Sequence, residues 1–219
     1  MKLIHVLVEG QTENDFVRDI LQPHLRKFEI QVKSSIVKTK HLPGQAAHKG
    51  GVVSYNHVKR DLRKLLGSSN LEIVTTLIDF YGTEKAEFPG WDTLPSSSDC
   101  YIKVKHIEKA MQDDISHRRF LPYLMLHEYE AMIMVQPERI TYWAQVDSSA
   151  NRDLESIRDS FHSPEEINLT DPPSKRILSV IPNYGKRDIG VFAADDIGIP
   201  AIREACPHFN EWLTKLESL

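Results

Sequence analysis

The chain has 219 residues, 41% of them hydrophobic, and a formal net charge of −4; this suits one large domain, or a core with an appended subdomain, and argues against a globally basic nucleic-acid binder. Its two cysteines, Cys100 and Cys206, lack metal-ligand spacing, so neither a disulfide framework nor a zinc knuckle is expected. No apolar run approaches bilayer length, and the short N-terminal one is followed at once by acids, so no membrane partner and no signal peptide are expected and the expected location is cytoplasmic.

Lys2 to Val8 reads as a strand apolar on both faces, the mark of a parallel sheet covered by helices, in which ligands gather beyond the carboxyl ends of the strands. It runs into Glu9-Gly10-Gln11-Thr12-Glu13. Thr12 is the expected N-cap, with Asp15 three residues on, and Val17, Ile20, Leu21, Leu25 and Phe28 keep helical spacing. Glu13 then falls in the first helical turn and faces the same crevice as Glu9. Either it serves a site there or it complements the positive helix N-terminus, and Gly10 is equally readable as a tight strand-to-helix turn. Ile30 to Val37 alternates as a second strand. His41 to Gly51 is a loop of turn formers, in which Lys49, Gly50 and Gly51 either cradle a phosphate through backbone N–H groups or form a flexible basic turn.

A helix through Val58, Leu62, Leu65 and Leu66 ends near Gly67, and Leu71 to Ile78 is a third strand ending at Asp79. Phe80 to Ser98 is a long loop whose Tyr81 and Trp91 either stack on a base or pack back on the core. Val104, Ile107 and Met111 mark a helix, and Phe120 to Leu126 a fourth strand that ends in His127-Glu128-Tyr129-Glu130. The remainder reads as helical: a polar segment from Asn151 to Phe161, a helix starting near Ser174, and a last one carrying Phe209, Trp212, Leu213 and Leu216. Together these elements predict an α/β fold. A Rossmann-like, mostly parallel sheet of about four strands flanked by helices would occupy residues 1–135, with a mainly helical part over 136–219 packed on it.

Three strands thus deliver acids to their carboxyl ends, and Glu9, Glu13, Asp79, Glu128 and Glu130 are the candidate metal ligands. Such a cluster repels itself, and the repulsion is normally relieved by a hard divalent cation with oxygen ligands, Mg²⁺ or Mn²⁺. Two such ions about 4 Å apart activate a water and stabilise the departing oxygen of a phosphodiester. Each acid taken singly is equally a solvated carboxylate at a helix start; their coincidence at three strand ends favours a site. Ser174-Lys175-Arg176, after two prolines at a helix start, offers a cap, a dipole and two cations to a phosphate, or is a plain capped helix. His127, between acids, reads as a structural histidine before a ligand. Neither a P-loop nor a G-x-G-x-x-G pattern is present, so nucleotide hydrolysis by the usual loops is not expected.

Val8-Glu9-Gly10-Gln11-Thr12-Glu13 resembles the first motif of Toprim-type domains, in the V-E-G-x-T-E form of the overcoming-lysogenization-defect nucleases, whose glutamates are metal ligands or a general base. Four further stretches are Asp79-Phe80-Tyr81-Gly82, Phe88-Pro89-Gly90, Pro122 to Glu130, and Pro173-Ser174-Lys175-Arg176. With the ending Cys206-Pro207-His208-Phe209-Asn210-Glu211-Trp212-Leu213, they make nearly the whole chain resemble the bacterial family called domain of unknown function 4276. The resemblance implies a Toprim-like core and frequent association with bacterial defence loci beside ATPases. Toprim enzymes usually carry Asp-x-Asp after the third strand, and Tyr81 stands where the second aspartate would be, so Glu128 or Glu130 would have to complete a second metal site, or one ion alone binds tightly.

The expected function is therefore a Mg²⁺- or Mn²⁺-dependent phosphodiesterase or nuclease acting on nucleic acid or a nucleotide phosphate. Glu9 would be the general base or a ligand and Asp79 a ligand, with Lys175 and Arg176 holding the substrate phosphate. The alternative is a catalytically silent nucleic-acid or nucleotide binding module that regulates a partner ATPase, and a third possibility is a scaffold whose acids are incidental.

Overall fold

A computed structural model describes residues 1–38, 54–167 and 170–219. β1 (Lys2–Val8) turns Ile4, Val6 and Val8 into one hydrophobic cluster and Leu3 and Leu7 into another, so this doubly apolar strand lies inside a covered sheet. β2 (Ile30–Ile36) and β3 (Ile73–Asp79) flank it in parallel, with Lys2 opposite Ile30 and Ile4 opposite Ile73. The fourth strand pairs in parallel with β3 but comes in two pieces, β4 (Phe120–Leu121) and β5 (Leu124–Met125). The order is β2-β1-β3-β4, with β5 also on β3. This is the parallel α/β sheet that the apolar runs predict.

Helices cover both faces. α1 (Gln11–Phe16) and α2 (Gln22–Arg26), joined by a π-helical turn over Val17–Leu21, bury Phe16, Val17, Ile20, Leu21 and Leu25 on one side. α3 (Tyr55–Leu66) and α4 (Cys100–Ile115) bury Val58, Leu62, Val104, Ile107 and Met111 on the other. The helical part comprises α5 (Glu130–Ile133), α6 (Pro137–Ala144), α7 (Ser148–Asp159), α8 (Pro173–Val180), α9 (Ile189–Ala205) and α10 (Pro207–Glu217). It adds Ile140, Leu154, Ile177, Ile202 and Phe209 to the cluster of α1. Buried Glu165 accepts the backbone N–H groups of His208 (2.9 Å) and Phe209 (3.0 Å) at the start of α10, while Trp212 Nε1 donates to Thr75 Oγ1 at 2.9 Å and so pins that helix to β3. Among the described residues no helix is long and apolar enough to cross a membrane.

The first helix starts two residues earlier than a Thr12 cap would set it. Gly10 is the N-cap, and Glu13 reaches back so that its Oε2 accepts the Gly10 N–H at 3.0 Å, leaving Thr12 buried within the first turn. A carboxylate at the third helical position satisfies an orphan N–H as a capping-box glutamate does, so no hydroxyl is needed at the cap.

The break in the fourth strand follows from Pro122, which has no N–H to give to a ladder. Opposite it, the buried Thr76 hydroxyl donates to the Tyr123 carbonyl at 2.7 Å and accepts the Tyr123 N–H at 3.0 Å. A side chain thus stands in for the missing step, and regular pairing resumes at Ile78 with Leu124. Thr76→Val should leave two buried backbone groups without partners and lower the unfolding free energy by about 1–3 kcal/mol. Urea denaturation would read this as an earlier midpoint with an unchanged slope, and Thr76→Ser should recover most of the loss.

Candidate functional site

The chain leaves β1 towards β2 on one side and β3 towards β4 on the other, so the carboxyl ends of β1 and β3 flank the point where the winding reverses. Open parallel sheets form their crevice at that point. Glu9 and Asp79 are the residues there. The Asp79 N–H donates to Glu9 Oε2 at 3.3 Å, and the Glu9 N–H donates to the Leu77 carbonyl at 3.3 Å.

Glu13 arrives from α1, and the remaining acids come by a sharp turn after β5. His127 has φ 67°, in the left-handed region, its carbonyl accepts the Tyr81 N–H at 2.9 Å, and the Tyr129 N–H donates to Asp79 Oδ1 at 3.1 Å. Glu128 is sent to α8, where its Oε2 accepts the Ser174 N–H at 3.0 Å, while Glu130 is sent inward.

The acids meet at a residue that the sequence reading misses. Lys186 Nζ lies 3.5 Å from Glu13 Oε1, 3.5 Å from Asp79 Oδ2 and 3.3 Å from Glu130 Oε2. It also stands 5.8 Å from the centre of the Tyr129 ring. A lysine in a Gly-Lys-Arg stretch carries no strand-end or helix-period signal; only the packing of α9 brings it to α1. That packing needs close approach: Tyr129 Oη donates to the Gly190 carbonyl at 3.2 Å, and a Cβ at Gly190 would lie 2.6 Å from Tyr184 Oη.

One ammonium does not neutralise the group. Burial, and then the charges of Asp79 and Glu13, push the Glu9 carboxyl up to about 8. Burial also raises Glu13, with Asp79 adding to it. Burial takes Glu130 up to about 7, Lys186 opposing and Asp79 and Glu128 reinforcing it. Glu128 is raised by burial, against the hydrogen bonds from Ser174. Burial alone would lower Lys186, but Asp79, Glu130, Glu13 and Glu128 outweigh it and hold the ammonium well above the ordinary lysine range. Glu130 is 1% exposed, and neither of its oxygens accepts a hydrogen bond among the described residues. Among the described residues, no three His, Cys, Asp or Glu side chains stand where they would together hold a metal ion; the charge compensation in the crevice is Lys186.

The other candidates lie around this centre. Lys49, Gly50 and Gly51 fall outside the described residues. The Ser174 N–H is given to Glu128, Arg176 Nε donates to the Asp171 carbonyl at 2.7 Å and its guanidinium lies 5.2 Å from the Phe161 ring centre, and Lys175 is exposed on α8. His127 is buried with Nδ1 unpartnered among the described residues, and burial, then Lys103, lowers its ring to about 4. Trp91 packs back on Phe80 with ring centres 5.6 Å apart, whereas Tyr81 is 40% exposed beside Asp79.

The raised carboxyls fix the sign of a pH effect. The unfolded chain ionises Glu9 and Glu130 near the ordinary 4.5, while the folded chain keeps their protons until about 8 and about 7. The folded state therefore binds more protons in that window, and stability falls as pH rises through it. In EDTA the melting temperature is expected to drop between about pH 5 and about pH 8, and Glu9→Gln to flatten the drop. A drop of undiminished size in that variant would place the responsible groups elsewhere.

A family model described as Domain of unknown function (DUF4276) matches residues 8–217. No curated protein and no solved structure matches the chain. The matched span begins one residue before Glu9 and takes in Asp79, the turn that carries Glu128 and Glu130, and Lys186. All the groups gathered at the crevice therefore lie inside the match, and the chain belongs to the family called domain of unknown function 4276.

Proposed function

We propose that the chain is a Mg²⁺- or Mn²⁺-dependent phosphodiesterase, a nuclease of Toprim-like type, acting at the crevice between the ends of β1 and β3. The observation that carries this reading is Glu130: a buried carboxyl with neither oxygen hydrogen-bonded among the described residues, gathered with Glu13 and Asp79 around one point of positive charge. An all-oxygen, carboxylate-rich donor set suits a hard divalent cation. Glu13, Asp79 and Glu130 do not stand in a metal-holding arrangement around the ammonium and would have to close on the cation, with Glu9 and Glu128 at its flanks; when bound it would activate water and offset charge on the phosphodiester oxygens. The ammonium occupies the middle of these acids, so loading would require Lys186 to yield part of its place.

The chain's own groups supply the rest. Glu9, pushed up to about 8, is suited to take a proton from the attacking water near neutral pH. Lys186 keeps a positive charge where negative charge would gather on the phosphoryl group. Glu128 ties α8, and with it Lys175, to the edge of the crevice.

A second reading, the catalytically silent nucleic-acid or nucleotide module acting on a partner ATPase in a defence system, is favoured by Lys186 itself. Its ammonium already compensates three acids, and Tyr81 replaces the aspartate that Toprim enzymes usually carry. Assays of labelled DNA and RNA, single- and double-stranded, with the purified chain separate the two. The enzyme should cut in Mn²⁺ and melt at a higher temperature with it. Glu130→Gln should abolish the thermal rise and lower cleavage by about two orders of magnitude or more. No cleavage and no metal-dependent rise, alone or with an adjacent ATPase, would leave the module.

A further inference from the structure

We infer that Arg187 is the residue that grips a phosphate group of the substrate; its place in a reaction rests on the phosphodiesterase reading, its binding chemistry does not. Asp15, buried on α1 two residues after Glu13, accepts Gln11 Nε2 at 3.0 Å, Arg18 Nη1 at 2.7 Å and Arg187 Nε at 2.9 Å. Burial pulls its carboxyl upward, yet the hydrogen bonds from Arg187 and Gln11 and the two guanidinium charges prevail and keep it below the usual range. The anchor is therefore a fixed negative charge.

The two arginines on that anchor differ. Arg18 is fully engaged, with Nη1 on Asp15 and Nε and Nη2 on Asp19 at 2.7 Å and 2.5 Å. Arg187 is bound at Nε alone; Nη1 and Nη2 have no hydrogen-bond partner among the described residues, and the side chain is 63% exposed. A guanidinium fixed at Nε and open at both Nη atoms presents a preorganised end-on fork that matches two oxygens of a phosphate. Its position is set from two sides: Lys186, its chain neighbour, reaches the acids of the crevice, and Asp15 lies on the helix that carries Glu13. In the Ser174-Lys175-Arg176 segment the Ser174 N–H is given to Glu128, and Arg176, also bound at Nε, is tied to the Asp171 carbonyl and laid over the Phe161 ring rather than anchored on the helix that carries Glu13.

The recognised chemistry is a phosphate oxygen pair, on a polynucleotide or on a single nucleotide. Inorganic phosphate titrated into the full chain in EDTA should shift the Arg187 Nε–H resonance, identified by its loss in Arg187→Lys. A short labelled single-stranded DNA and adenosine monophosphate then distinguish the sources. Arg187→Ala and Arg187→Lys should each weaken DNA binding about tenfold, because a lysine cannot form the fork; Arg187→Ala should also lower the salt slope by about one, whereas Arg187→Lys, which keeps the charge, should leave it nearly unchanged. An equal loss for the mononucleotide assigns a nucleotide ligand, and a loss confined to DNA assigns a strand. Circular dichroism spectra of both variants at the assay temperature should match the unaltered chain, while Arg187→Ala should melt earlier because buried Asp15 loses a partner. An Arg187 resonance unmoved by phosphate, or equal affinities in all three proteins, overturns the inference. Absence of Mn²⁺-dependent cleavage with the resonance shift intact overturns the phosphodiesterase reading alone.

Discussion

The Lys186 ammonium lies 3.3 to 3.5 Å from carboxylate oxygens on α1, β3 and α5, three elements that the chain makes far apart in sequence. The carboxylates are buried while the lysine is itself 35% exposed, so its loss would leave buried negative charge without a counter-charge, and here one cation serves several acids at once. The placement of the surrounding elements depends on that contact being kept. Tyr129 braces it from beneath, its N–H on Asp79 and its hydroxyl on the Gly190 carbonyl, so the turn that carries the acids and the helix that follows the lysine hold each other in place.

Adjacent residues play opposite parts in this arrangement. Lys186 points into the crevice and is drawn there by charge, whereas Arg187 stays at the rim, held by a buried aspartate and open outward. Glu13 and Asp15 make the matching pair on α1, one facing the ammonium and the other the guanidinium. A single helical turn and a single loop thus set an inner charge and an outer one in fixed relation.

Much of this was legible in the sequence because it depends on local pattern. Apolar runs on both faces of Lys2–Val8 and Ile73–Asp79 announced interior parallel strands, and acids at their ends marked the crevice. What remained hidden depends on long-range packing. Lys186 becomes significant only when α9 closes on Tyr129, and the turn after β5 parts Glu128 from Glu130, residues that sequence spacing alone treats as equivalent. The Gly10 start of α1 was obscured because a side chain inside the helix, not the residue before it, satisfies the first N–H. The break at Pro122 was readable from the proline, but its repair by Thr76 was not, since the hydroxyl comes from a neighbouring strand.

The tether between Trp212 and Thr75, together with the cap that Glu165 places on α10, has a consequence in time. The face of the sheet formed by Ile4, Val6, Val8 and Leu77 is completed by residues as late as Leu216. A ribosome adding about 5–20 residues per second makes β1 on the order of ten seconds or more before α10 exists to close over that face. For that interval the nascent chain displays half-covered apolar strands, the kind of surface that chaperones recognise and that aggregates when unprotected. α10 therefore comes late to a face that β1 opens, and substitutions that weaken α10 should be felt first in the yield of folded protein made at the ribosome.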